Sequence, residues 1–187
     1  MSTDLTTVLS PAANAETERQ HLTFVVKDET FAVDTLCVRE IIEYGHLTVV
    51  PLMPSFICGV INLRGAVVPV IDLEARFGGS RTTITPRTCV VILEVMDEDQ
   101  PQVVGVVVDA VSEVLEIPLE NVRPAPAFGS RIRTDFIQGI TKVNDEFVVL
   151  LNISYVLSIS EIAGLVNNSQ TAMAFGSART ALPQRSL

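Results

Sequence analysis

Short apolar runs, many alternating with polar residues, fill the chain from His21 to about Leu165. The runs are rich in Val and Ile and are broken every few residues by turn formers. That pattern predicts strands rather than long helices. HLTFVV and TFAVD flank a polar turn in KDET and read as a hairpin. TLCVREIIEYG predicts one helical turn near Thr35–Val38 and then a strand through Tyr44. Val38, Ile41 and Ile42 also fit helical spacing, but the β-branched run favours the strand. Pro51 and Pro54 predict a loop before a strand at about Gly59–Leu63. AVVPVIDL is its hairpin partner, turning at Arg64–Gly65. Pro69 lacks a ladder donor and is expected at a strand edge or bulge. Asp72, like Asp34, stands where an N-cap is wanted; Asp72 precedes a short helix, LEARF, closed by Gly78–Gly79.

The polar connector GGSRTTITPRT, 78–88, marks a junction between subdomains. CVVILEVMDEDQPQVVGVVVDAV follows as two long strands around an acidic turn. SEVLEIP is a further strand, and ENVRPAPAFGSRIRTDF an irregular link. FIQGITKVNDEFVVLLNI is the clearest hairpin, turning at Asn144–Asp145. SYVLSISEIAGL reads as a helix with Val156, Leu157 and Ile159 available to pack. Residues 1–19 and 166–187 have polar, aperiodic composition and are read as a flexible arm and tail. No sharp internal repeat is evident. Many short strands with few helices suit one or two small barrels.

Composition narrows the function. The formal charge is −9, and lysine occurs only at Lys27 and Lys142. Nucleic-acid binding needs a basic stripe, and none is visible. The aromatic residues Phe24, Phe31 and Phe147 are spaced as core and form no basic-aromatic platform. Cys37, Cys58 and Cys89 each sit in an apolar segment and are odd in number. They read as small core hydrophobes in a reducing compartment. The first residues lack a basic-then-apolar leader pattern, and no apolar run reaches the ~18–20 residues of a membrane helix. A soluble, cytoplasmic chain is expected.

Catalytic constellations are missing. There is no phosphate-binding glycine loop, no nucleophile elbow and no close Cys/His pair for zinc. His21 and His46 are the only histidines. MDEDQ lacks the glycine and glutamate of a calcium loop and reads as a solvated hairpin tip. No metal or cofactor is expected. An acidic, mostly β chain without catalytic groups reads as a binding or scaffolding module. The alternatives are a small-ligand or oligonucleotide-binding barrel and, least favoured, an enzyme.

At this point the residues become specific. GVINLRGAVVPVIDL closely resembles the signature of the CheW-like family of bacterial chemotaxis adaptors. FAVDTLCVREII, VVGVVVDAVSEVL, NVRPAP and FIQGITKVNDEFVVLLNI match in the same order, so the resemblance spans residues 20–165. It implies two intertwined five-stranded SH3-like β-barrels with a few short helices. It also implies a non-catalytic scaffold that couples transmembrane chemoreceptors to the histidine kinase CheA. In that role it would be recruited to membrane-associated arrays, where domains of this fold pack end to end in rings. The chain is too short for the kinase itself, and the tail is too short for a receiver domain.

The resemblance also distributes roles. Arg64 and Glu40, both charged residues among apolar ones, would form a bidentate pair at the signalling surface; a purely structural ion pair is the competing reading. Val38, Gly59 and Val114 match receptor-coupling positions, and Cys89 and Val111 are added to that set. For any single Val, buried core is the ordinary alternative. Gly59 suits close backbone approach, and a charge there is expected to block a partner without destroying the barrel. Ile42, Tyr44 and Cys58 are assigned to the kinase-binding end, although Tyr44 also suits a core position.

Overall fold

The structure is a computed structural model and describes residues 18–126, 132–158, 160–162 and 164. The first half of the chain supplies β1 (Glu18–Val26), β2 (Glu29–Asp34), β3 (Val38–Glu43), β4 (Ile57–Leu63), β5 (Ala66–Asp72) and the one-turn helix α1 (Leu73–Arg76). The second half supplies β6 (Cys89–Asp97), β7 (Gln100–Val108), β8 (Ala110–Pro118), β9 (Ile137–Val143), β10 (Glu146–Leu151) and α2 (Ile153–Val156). Four hairpins turn at Lys27–Asp28, Arg64–Gly65, Glu98–Asp99 and Asn144–Asp145, with positive φ at both central residues of each. That is the mirror-image turn whose twist suits a two-residue hairpin, and short polar residues or glycine tolerate it best.

The strands form two five-stranded sheets, β8-β1-β2-β10-β9 and β3-β6-β7-β5-β4. These are the two intertwined SH3-like barrels, here barrel 1 and barrel 2. Each sheet is antiparallel except for one parallel seam, β2 with β10 and β5 with β7. Neither barrel belongs to one half of the chain. The first half gives β1 and β2 to barrel 1 but β3, β4 and β5 to barrel 2, and the second half does the reverse.

The exchange exposes a repeat that the sequence hides. Phe56-Ile57-x-Gly59 recurs as Phe136-Ile137-x-Gly139. Continuing without gaps, the alignment carries Arg64–Gly65 onto Asn144–Asp145 and the N-cap Asp72 onto Asn152. The registers agree: Ile57 faces Ile71 as Ile137 faces Leu151, and Gly59 faces Val70 as Gly139 faces Leu150. Both glycines lie under a passing strand, with Thr48 bridging Val60 and Arg123 bridging Ile140. A Cβ would come within 2.3 Å of a Thr48 oxygen at Gly59, and within 2.3 Å of the Val122 side chain at Gly139. Few other side chains repeat, so the similarity resides mainly in backbone requirements.

Alternation along each strand divides the apolar residues between two environments. Val90 and Ile92 of β6 join Cys58, Val70 and Val107 inside barrel 2. Val91, Leu93 and Val95 of the same strand face a core shared by both barrels. Val148 and Leu150 of β10 fill barrel 1 with Ala32 and Ile117. Phe24, Phe31, Phe77 and Phe136 run through the shared core as successive ring contacts of 5.3–6.3 Å.

Some expectations shift. The first strand starts at Glu18, three residues before His21, because Glu18 and Arg19 pair with Pro118 and Ile117. Pro69 lies on an interior strand. Its missing donor does no harm because the seam with β7 begins only at Val70. The helix expected through SYVLSISEIAGL is interrupted: α2 is a single turn, and helix resumes at residues 160–162 and 164. Ser158 then accepts a bond from Glu161 N at 3.4 Å and starts a new turn. Val156 and Leu157 are buried as expected, whereas Ile159 lies outside the described residues. So do residues 1–17 and the segment following Gly164.

Candidate coupling surface

Arg64 occupies the tip of the β4–β5 hairpin at φ 52°, and Gly65 N donates back to Asn62 Oδ1 at 2.8 Å, closing the turn. Its guanidinium donates to both carboxylate oxygens of Glu40 on β3, each bond 2.9 Å. The pair is bidentate, as the two side-chain types predict. β3 and β4 are the two edge strands of barrel 2, so the contact ties the ends of that sheet together. Arg64 is 77% exposed and Glu40 only 24%. Arg64 is therefore no cation stranded in a core: its charge faces water and is held in one direction by a half-buried carboxylate.

The buried cation is Arg76, which the sequence reading passed over as part of LEARF. Its side chain is 5% exposed and lies between the rings of Phe56 and Phe136, 4.9 and 4.8 Å from their centroids. Arg76 Nε donates to Val156 O at 2.9 Å, while Nη2 comes only within 3.5 Å of Glu161 Oε2. Phe56 and Phe136 are repeat equivalents, and so are Arg76 and Val156. The guanidinium thus sits at the join of the two halves. Burial pushes its pKa down, Glu161 opposes the shift, and the neighbouring Arg133 adds to it. Arg133 itself covers the Phe136 ring at 4.6 Å and pairs with Asp135 and Glu161. In the sequence Arg76 is only a charge on the short helix after Asp72, with no local signal of its burial.

The proposed receptor set is spread along several strands. Val38, Cys89 and Val111 are half-buried against the shared core, and Val114 on β8 is 52% exposed. Val38 and Cys89 lie at opposite ends of the β3–β6 pairing, opposite Leu93 and Glu43. Gly59 is buried beneath Thr48, so a side chain there meets backbone before it meets any partner. The expectation that a charge at Gly59 spares the barrel is accordingly corrected. Leu36, in the 3-10 turn Thr35–Cys37 that Asp34 caps, is 88% exposed beside Val38 and was missed. The signal was an apolar residue two positions after the capping aspartate.

The kinase set gathers in barrel 2. Ile42 and Tyr44 pack, half-buried, on the interior cluster that contains Cys58. Cys58 is 6% exposed and points into the barrel, so it supports this face and cannot line it. Burial, assisted by Asp72, pushes its thiol up to about 11. Burial also raises the Tyr44 phenol and the Cys37 thiol. All three cysteines are free. Val49 and Leu52, in the loop after β3, and Val67, on β5 near the Arg64–Gly65 turn, are exposed apolar side chains. Phe147, read as core from its spacing, is instead 69% exposed: it is the repeat equivalent of Val67 and its side chain faces outward on barrel 1, lining a cleft of about 680 Å³ with Arg123, Ile140 and Lys142. Among the described residues no three His, Cys, Asp or Glu side chains gather to hold a metal, and no helix is long and apolar enough to cross a membrane.

The CheW-like domain model matches residues 20–161. The chain belongs to the CheW-like family. It is 37% identical over 160 residues to the chemotaxis protein CheW of Klebsiella aerogenes, covering 86% of this chain and 93% of that one. To protein FrzA of Myxococcus xanthus it is 34% identical, covering 78% and 89% of the two chains. Among solved structures, the scaffolding protein TtCheW of Thermoanaerobacter tengcongensis aligns with a TM-score of 0.68 and 31% identity over 75% of this chain and 88% of that one. Family membership makes this CheW-like chain a chemotaxis scaffold, and the fold of its structural neighbour agrees with the two sheets described above.

Proposed function

We propose that the chain is a non-catalytic adaptor that couples the cytoplasmic tips of transmembrane chemoreceptors to the regulatory domain of the histidine kinase CheA. Val38, Glu40, Arg64 and Val114, with Val111 and Cys89 behind them, form its receptor side. Gly59 supports that side by letting Thr48 pass close to β4. Ile42 and Tyr44 face the kinase, with Cys58 as packing beneath them. The protein works in the cytoplasm and joins membrane-associated arrays through its partners. There it also packs against other domains of the same fold.

The observation that carries this reading is the exposed, bidentate Arg64–Glu40 pair within the family's signature. An ion pair in water stabilises a fold by only ~0–1 kcal/mol. A planar donor fork held toward solvent is better suited to a partner's carboxylate or backbone oxygens. Barrel 2 is filled by Cys58, Val70, Val90, Ile92 and Val107, which argues against a ligand-binding interior.

The test is Arg64→Ala in a reconstituted assay with receptor fragments in vesicles and CheA. The expected result is a monomer with unchanged circular dichroism, at least tenfold weaker receptor co-sedimentation and little kinase activation. Full activation by the variant would remove Arg64 from the coupling surface. Loss of the folded signal would return the pair to a structural role.

A further inference from the structure

The geometry points to a second copy of this chain as a partner, taken up by exchange of whole halves. Each barrel needs strands from both halves, and nothing in the pairing requires those halves to share one chain. A first half from one molecule (β1–β5, α1) fits the second half of another (β6–β10, α2) through the same registers. These include β1 on β8, β3 on β6, and the two parallel seams. Two chains crossed in this way make two complete copies of the fold, and only the link between halves must change course.

That link is short and well bounded. Thr82 is fixed to the first half, where Asp72 Oδ2 accepts from its N at 2.8 Å and Asp72 Oδ1 from its Oγ1 at 3.0 Å. Arg81 donates to the carbonyls of Ser55 and Ile57, which also belong to that half. Thr88 O accepts from Tyr44 N at 3.3 Å, a contact that either arrangement can make. Between these anchors, residues 83–87 are exposed. A turn folds them back: Thr88 N donates to Thr85 O at 3.0 Å, and Thr85 N donates to Thr88 Oγ1 at 2.8 Å around Pro86. The turn at Thr85–Thr88 is therefore the gate between one chain folding on itself and two chains exchanging halves. Shortening a connector of this kind favours exchange, because a short hinge under strain invites it.

The test uses the full chain with residues 83–85 deleted, refolded from denaturant at low and high protein concentration and sized by light scattering. The expected product is predominantly dimeric, keeps the wild-type circular dichroism and survives hundredfold dilution. Native mass spectrometry of mixed 14N and 15N dimers is expected to show hybrids only after unfolding and refolding. A folded monomer, or a dimer that separates on dilution, overturns the proposal. Should the deletion fail to fold, Thr88→Val decides instead. It removes the hydroxyl that accepts from Thr85 N, and refolding at high concentration is expected to raise the dilution-resistant dimer several-fold over wild type. An unchanged yield overturns the proposal.

Discussion

At Gly59 two demands meet in one residue: φ of +147°, and a Thr48 oxygen 2.3 Å from where a Cβ would be. Gly59→Ala is expected to destabilise the domain by about 1–3 kcal/mol, as overpacking does, and Gly59→Asp by more, since it adds a buried charge. Chemical denaturation measures both; stabilities equal to wild type would mean that the Thr48 segment simply moves aside. Cys58 offers a second test. Burial pushes its thiol up to about 11 in the fold, above the ordinary thiol value of 9.0. Between those values the unfolded chain loses the proton first. The Cys58 contribution to stability is thus complete below pH 9 and is lost as pH rises toward 11. Cys58→Ala is expected to flatten the decline in melting temperature over that window, and parallel curves for the two proteins would assign the decline to other groups. Gly59, Arg64 and Glu40 could be read from the sequence because glycine and paired opposite charges in apolar strands have few explanations. Arg76 could not be placed in that way, since its two rings come from segments far apart in the chain.

Elements were legible where their signals were local. KDET, LRGA and VNDE mark hairpins because two-residue turns with positive φ restrict composition. The caps of the 3-10 turn and of α1 follow from Asp34 and Asp72. The break in the helix after α2 was not foreseen, because Ser158 offers a cap that competes with continuation. At the join between α1 and α2, Arg76→Ala would leave a void between Phe56 and Phe136 and free the Val156 carbonyl. A loss of about 2–4 kcal/mol is expected. Arg76→Met fills the space without a charge and is expected to lose less than half as much, because Glu161 still has Arg133. Equal losses for both variants in urea denaturation would mean that the cation, not the filling, holds the join.

For the whole molecule, strand alternation predicted small barrels, but which strand joins which barrel was not written in any local run. The choice depends on pairings such as Glu18 with Pro118 and Thr30 with Val148. The repeat escaped notice for the same reason, since it survives mostly as backbone requirements at Gly59 and Gly139. Val67 and Phe147 occupy equivalent exposed positions on the two barrels. Each can be changed to Asp with little effect on melting, within ~0.5 kcal/mol for surface sites. If the ends contact different partners, Val67→Asp is expected to weaken CheA binding in calorimetry more than Phe147→Asp does. Identical effects would mean that the ends are not distinguished.

The sharing of strands between halves also bears on how the chain comes to be folded. β1 must wait for β8, and β2 for β10, before either has its full complement of neighbours. During synthesis the first half therefore emerges as apolar strands with open edges, and its sheets are completed only when β10 appears near the end of the described chain. Closing such distant contacts is slow compared with hairpin formation. The four tight turns then matter as early local structures: they set each pair's register and keep the waiting strands from pairing wrongly while the rest of the chain is being made.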